Sequence, residues 1–204
     1  MSGIAIYMEG GGDSASSKAA IRQGMDGFLS QIKISAQAKR LRWKLVTCGG
    51  RQNAFDAFKK SPPDPDYSTR ILLVDSEAPV NTQPSAHLRV RDGWGLNGAE
   101  DKLLHLMVQT MESWIVADVE ALAAYYGQRF RRNALPKNNN LEQAAKLDVA
   151  SALVKATRAT QKGEYQKIRH AGDLLRRIDP MLVRGRCPHC DRMFVELIAV
   201  IQAA

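Results

Sequence analysis

This chain has no apolar run near the eighteen or so residues needed to cross a membrane. It also lacks the two glycine patterns that cradle phosphate directly. There is no Gly-x-Gly-x-x-Gly after the first apolar segment and no Gly-Lys-Ser/Thr anywhere. Cysteine is scarce, with three in 204 residues, too few for a disulfide framework. Aromatic residues make up 6% and form no ladder on which single-stranded bases would stack. Nucleophilic triads find no support, because Ser14 and Ser76 have no histidine that the sequence places beside them. The first eight residues are too short for a signal peptide and run straight into acids, so the cytoplasm is the expected compartment.

Acids are thin in two stretches. Between Lys18 and Lys44 the only acid is Asp26. From Ser151 to Ala204 ten Lys/Arg face five Asp/Glu, so that last quarter carries +5 of a net charge of +8. Basic surface of this kind attracts polyanions, nucleic acid first among them. Cys187-Pro188-His189-Cys190 has zinc-ligand spacing but no second half, since structural zinc takes four ligands. Two reduced cysteines at a helix start are the alternative.

What is present is a repeated unit of apolar run, turn and helix. Ile4–Met8 is short and apolar, as a buried parallel strand is, and a helix is predicted from Ser14 to about Ala38. Leu41–Cys48 alternates and reads as a second strand near an edge, followed by Gly49-Gly50 and a helix over about Gln52–Lys60. Ser61–Tyr67, with its prolines, reads as loop, and Ile71–Val74 as the third strand. Val80–Gly98 reads as loop-rich, with a fourth strand over Leu104–Met111 and a helix from Glu112 to Gly127. After a polar linker, helices are expected near Leu141–Ala159, His170–Ile178 and Asp191–Gln202. The expected architecture is α/β: a mostly parallel sheet of about four strands flanked by helices over residues 1–130. Residues 131–204 then form a basic helical cap on it or a part of the same domain.

The chemistry concentrates at strand ends. Glu9-Gly10-Gly11-Gly12-Asp13 follows the first strand, and Asp75-Ser76-Glu77 follows the third. Loops at the carboxyl ends of parallel strands share one edge, where ligands bind. Carboxylates delivered there by different strands suit Mg²⁺ or Mn²⁺, which prefer oxygen ligands and keep positions open for phosphate. Glu9, Asp13, Asp75 and Glu77 are therefore the candidate catalytic and metal-binding residues, with Glu112 a further metal candidate at the end of the fourth strand. Arg51, on the second strand-end loop, is placed to neutralise phosphate. Lys162, Lys167, Arg169 and His170 cluster in the cap as contacts to a nucleic-acid backbone. His105 and Trp94 read as a core histidine and a packing tryptophan.

Glu9-Gly10-x-x-Asp13 after strand one, with the acidic pair Asp75-x-Glu77 after strand three, resembles the Toprim domain of topoisomerases, primases and overcoming-lysogenization-defect nucleases. The second motif departs from that pattern by ending in glutamate where the domain has aspartate. More closely, four segments are similar to an uncharacterised bacterial domain-of-unknown-function family: Tyr7–Ser14, Leu73–Pro79, Arg91–Trp94 and His105–Trp114. Thr160–Tyr165 and Arg169-His170 also belong to that pattern. The Toprim resemblance implies a Mg²⁺-binding fold in which Glu9 is the general acid/base of phosphodiester transfer and Asp75 and its partner hold metal. The expected function is a Mg²⁺-dependent phosphodiesterase or nuclease. The alternative is a non-catalytic partner that binds nucleic acid or nucleotide beside an ATPase subunit in bacterial phage defence, an association that only the resemblance implies.

Overall fold

In the computed structural model, which describes residues 3–60, 65–96 and 98–204, β1 (Gly3–Met8) is buried along its whole length. A strand covered on both faces needs no polar alternation, which is why it reads as a continuous apolar run. β1 pairs in parallel with β2 (Arg42–Thr47) on one side and β3 (Thr69–Asp75) on the other, and β3 pairs in parallel with β4 (Leu104–Met107). The sheet order is β2-β1-β3-β4, so the four-stranded sheet is all parallel. β2 lies at an edge, and its polar residues Arg42 and Lys44 are exposed. Of the expected loop 61–67, Ser61–Asp64 lies outside the described residues.

The chain order places the helices. The step from β1 to β2 runs one way across the sheet, and the step from β2 to β3 runs back. Right-handed crossovers therefore put α1 (Ala15–Phe28) and α2 (Ser30–Ala38) on one face and α3 (Arg51–Lys60) on the other. The step to β4 continues in the second direction and keeps α4 (Pro84–Asp92) with α3. On that face Ala54, Phe55 and Leu88 pack on Leu72, Val74, Leu104 and Leu106. On the first face Ile21, Met25 and Phe28 of α1 pack on Ile4, Ile6, Met8, Ile71 and Leu73. Met25 and Phe28 belong to the buried stripe that helical spacing implied, and Ile21 joins them on that face. Ser14 caps α1, its hydroxyl accepting from the Ser17 N–H at 3.1 Å. Ser14→Ala should lower stability by about 1 kcal/mol, read as a lower urea midpoint at unchanged slope.

The C-terminal part continues the first face. It comprises α5 (Met111–Ile115), α6 (Val119–Tyr126), α7 (Lys146–Thr157), α8 (Lys167–Leu175), α9 (Pro180–Arg186) and α10 (Pro188–Ala203). One hydrophobic cluster runs from β1 and α1 through Trp114 to Leu174, Phe194 and Leu197. Trp114 stacks on Phe28 at 5.4 Å between ring centroids, and Phe194 meets Phe28 edge-on at 5.7 Å. α10 is tied to the sheet by Arg192, which donates to the Leu104 and Asp101 carbonyls at 3.0 and 2.6 Å.

Several local expectations are corrected. The single helix over 14–38 is two, divided at Leu29. The loop-rich segment contains α4, because Pro84 occupies the first turn of a helix, where a missing N–H costs nothing. The fourth strand stops at Met107, and Thr110 already caps α5 through a bond from the Glu112 N–H. α8 begins at Lys167, three residues before the expected start. α9, opened by Pro180 and capped by Asp179, had no counterpart in the sequence reading.

Candidate metal site

The strand order reverses between β1 and β3, and the carboxyl end of that pair is the crevice where parallel sheets place ligands. Glu9 leaves β1 there and Asp75 ends β3, with Met8 paired to Leu73. The Glu9 N–H donates to the Leu73 carbonyl at 3.0 Å, and the Glu9 carboxylate accepts from the Asp75 N–H at 3.1 Å. Glu77 lies two residues on, at φ 65°, its N–H donating to the Gln109 carbonyl at 2.8 Å. One carboxylate oxygen from each of Glu9, Asp75 and Glu77 falls within 4.8 Å of the others. Among the described residues this is the one group of three or more His, Cys, Asp or Glu side chains gathered so closely.

Three glycines shape the entrance. Gly10, Gly11 and Gly12 have φ of 135°, 86° and 55°, conformations closed to most side chains. A side chain at Gly11 would also press within 2.6 Å of the Lys18 backbone. Gly10 and Gly49 exchange backbone hydrogen bonds of 2.8 and 3.1 Å, stitching the loop after β1 to the loop after β2. That turn carries Asp13 to the surface, where it is exposed and stands outside the gathered carboxylates. Of the four expected acids the structure brings together Glu9, Asp75 and Glu77 and leaves Asp13 apart.

Cations surround the acids. Asp75 is 2% exposed; its Oδ1 accepts from the Met111 N–H at 2.7 Å and its Oδ2 from the Lys167 ammonium at 3.2 Å. Lys167 also lies 3.4 Å from buried Glu112, whose other oxygen accepts from the Tyr165 hydroxyl at 3.0 Å and which further accepts from the Thr110 hydroxyl. Glu112 therefore reaches this network through Lys167 and Tyr165. Lys146 pairs with Glu77, and Arg91 stands 4.0 Å from the same carboxylate. Arg51 lies 3.8 Å from Glu9, but its Nε and Nη2 grip Asp92 at 3.0 and 2.6 Å, its Nη1 donates to the Asp75 carbonyl, and its plane rests on the Trp94 ring. The Trp94 ring in turn stacks on Phe55 at 4.3 Å.

The electrostatics follow. Burial, and then the neighbouring Asp75 charge, push the Glu9 carboxyl up to about 7. Burial also raises Asp75, against the pull of Lys167. Glu112 goes the other way: burial would raise it, but Lys167 together with the Thr110 and Tyr165 hydroxyls outweighs burial and holds it below the usual carboxylate range. Lys167 is held charged, its own desolvation outweighed by Asp75 and Glu112. Two buried carboxyls pushed toward protonation, with a third oxygen donor in reach, are what a hard divalent cation relieves. The donor set fits Mg²⁺ or Mn²⁺ on that ground.

The remaining expected contacts divide. Lys167 enters the acidic network, and its neighbours do not. Lys162 and Arg169 are exposed. His170 is 2% exposed, its Nδ1 accepting from the Gln166 N–H at 3.1 Å among Tyr125, Tyr126 and Tyr165. It is packed in the core, and the structure does not bring it to the surface with Lys162 and Arg169. His105 is also a core residue, its pKa pushed down to about 3 by burial and then by Arg192. Cys187 caps α10, and both it and Cys190 are fully buried, with burial raising both thiols. His189 pairs with Glu142 at 2.6 Å. The sequence reading assigned no chemistry to Tyr165, Lys146 or Asp92, although Asp92 and Tyr165 sit in the motifs quoted above.

Fold and site together define a class: an all-parallel α/β protein whose switch point carries carboxylates able to hold a divalent cation. Within that class the chain belongs to the family described as "Domain of unknown function (DUF4276)", whose model matches residues 8–198. No curated protein and no solved structure matches it.

Proposed function

We propose that this protein is a Mg²⁺- or Mn²⁺-dependent phosphodiester hydrolase acting on nucleic acid, built on a Toprim-like core. The observation that carries the proposal is the meeting of Glu9 and Asp75 at the switch point, with Glu77 within 4.8 Å. The Toprim resemblance adds support, since it expects a glutamate after the first strand and acids after the third strand of a parallel sheet.

Asp75, Glu77 and Glu9 would hold the cation. When bound, such an ion polarises a phosphoryl oxygen and lowers the pKa of water. Asp75 is oriented for this by the Met111 N–H and Glu77 by the hydrogen bond its backbone gives to Gln109. Glu9 is the group proposed to take a proton from a nucleophile and return it to a leaving group. A cation held beside it would bring its pKa down from about 7 and keep it ionised for the first of these steps. Lys167 and Arg51 keep positive charge beside the position where phosphate charge develops.

The pure protein should cleave DNA, RNA or a small phosphodiester such as bis-p-nitrophenyl phosphate with Mg²⁺ or Mn²⁺ and lose that activity in EDTA. Asp75→Asn should reduce the rate at least about a hundredfold. Cleavage indifferent to Asp75→Asn would sink the mechanism.

A second function rests on a different observation. Lys167, Lys146 and Arg51 already lie against Asp75, Glu77 and Glu9, so the acids have partners without a metal. That arrangement suits a non-catalytic subunit that binds nucleic acid or nucleotide beside an ATPase. Calorimetry detecting no Mn²⁺ binding, together with co-purification of an ATPase, would select it over hydrolysis.

A further inference from the structure

We infer that the outer face of α8, the loop before it and the turn after it form a track for the sugar-phosphate backbone of a nucleic acid, centred on Tyr125. The inference rests on the proposed action on nucleic acid and extends it to a surface outside the carboxylate site.

Residues 155–177 hold seven Lys/Arg and two acids. Of the seven, Lys167 is committed to Asp75 and Glu112, and the others that matter here are exposed. The Lys162 ammonium sits 4.7 Å from the centroid of the Tyr125 ring, and the Arg177 guanidinium 5.5 Å from it. Burial and then Asp173 raise the pKa of the same phenol, and Arg177 and Arg169 are both close enough to oppose them. An aromatic ring is an inexpensive way to fix long cationic side chains, since cation–π attraction holds them without cancelling their charge. The two acids do not neutralise the group. Asp173 is taken up by Arg176 at 3.0 Å and by the Tyr125 hydroxyl at 3.5 Å, and Glu164 is exposed in the loop.

The same chain segment links this surface to the carboxylates. Tyr165 and Lys167 turn inward to Glu112 and Asp75, while Lys162 before them and Arg169 after them stay outside. α8 spans nine residues, about 14 Å of helical rise, the axial span of about four phosphates of one duplex strand. With its ring occupied by cations, Tyr125 is not available as a base-stacking platform. Binding is therefore to the backbone, tolerant of sequence and strongly dependent on salt.

The test is fluorescence anisotropy with the full chain, in EDTA so that no hydrolysis enters. Labelled 20-nucleotide single-stranded and duplex DNA and RNA serve as probes, with phosphatidylserine vesicles in parallel. The expected result is binding in the micromolar range at about 50 mM salt, with log K falling against log salt at a slope of about −2 to −3. The triple variant Lys162→Glu, Arg169→Glu, Arg177→Glu should weaken binding at least about tenfold, and Lys39→Glu, an exposed cation elsewhere, should not. Should the triple variant fold poorly, the single changes Lys162→Gln, Arg169→Gln and Arg177→Gln should each flatten the salt slope by about one. No oligonucleotide binding, binding indifferent to these changes, or tighter binding to vesicles than to oligonucleotides would overturn the inference. If bis-p-nitrophenyl phosphate is still hydrolysed while the track fails, only the track is lost. If oligonucleotides bind while nothing is cleaved, only hydrolysis is lost.

Discussion

Glu9→Gln should abolish hydrolysis and at the same time make the protein more stable at pH 8. The loss of activity, at least about a hundredfold, follows from removing the proton-transfer group. The gain in stability follows from its pKa, raised in the folded state from 4.5 to about 7. A carboxyl raised on folding binds a proton more tightly in the native than in the unfolded chain. Between pH 4.5 and 7 the native state therefore holds more protons, and stability falls as pH rises through that window. Above pH 7 the whole penalty is present, and below 4.5 there is none. The side chain is 17% exposed and shares its site with Asp75, so the penalty is about 1–3 kcal/mol. Glu9→Gln should raise the melting temperature at pH 8 by several degrees and change it little at pH 4. Saturating Mn²⁺ should stabilise the native sequence at pH 8 more than the variant, because the ion then loses a ligand. Equal melting of the two proteins at pH 8 would show that Glu9 bears no such penalty.

The sheet was legible because its central strands are buried on both faces: Ile4–Met8 and Ile71–Val74 stand out as apolar runs in a polar sequence. That Glu9 and Asp75 share an edge was legible for the same reason, once parallel strands were assumed. Distance along the chain limited the rest. Lys146 reaches Glu77 across 69 residues, and Lys167 reaches Asp75 across 92. No local pattern marks Lys146 among 29 basic residues, and Lys167 stood out only as one of a basic cluster expected to hold a nucleic-acid backbone. That Asp13 stands apart from the gathered carboxylates was not legible, because three glycines of positive φ shape the turn, which composition does not reveal. The burial of His170 was not legible, because it lies among basic residues in sequence, whereas its position on α8 turns it to the tyrosines of α6. Arg51 is at the predicted loop, yet Asp92 holds its guanidinium in a fork. Pro84 misled because proline breaks a helix only beyond its first turn.

The crossing of α1 and α8 was equally invisible, and it should give the largest loss of stability from the smallest change. A Cβ added at Gly24 would meet the Gly172 carbonyl oxygen, and one added at Gly172 would lie 2.5 Å from the Ala20 carbonyl oxygen and 2.8 Å from its carbon. Both obstacles are backbone, so neither rotamer change nor a flexible side chain relieves them, and the helices must separate. Helix propensity predicts the opposite sign, since alanine in a helix interior is favoured over glycine by about 1 kcal/mol. Packing should win: Gly24→Ala and Gly172→Ala should each cost about 2–4 kcal/mol net, and Gly172→Leu should leave little folded protein. Gly185, in α9 with nothing within 4 Å of its added Cβ, supplies the control. There alanine should be neutral or stabilise by up to about 1 kcal/mol. The effect extends to the site, because α8 begins with Lys167 and carries it to Asp75. A shift of α8 away from α1 loosens that ion pair, so the folded fraction of Gly172→Ala should gain affinity for Mn²⁺, because the Lys167 ammonium no longer competes for Asp75. Denaturant midpoints that rise for all three alanine variants would mean that α1 and α8 do not cross at this distance.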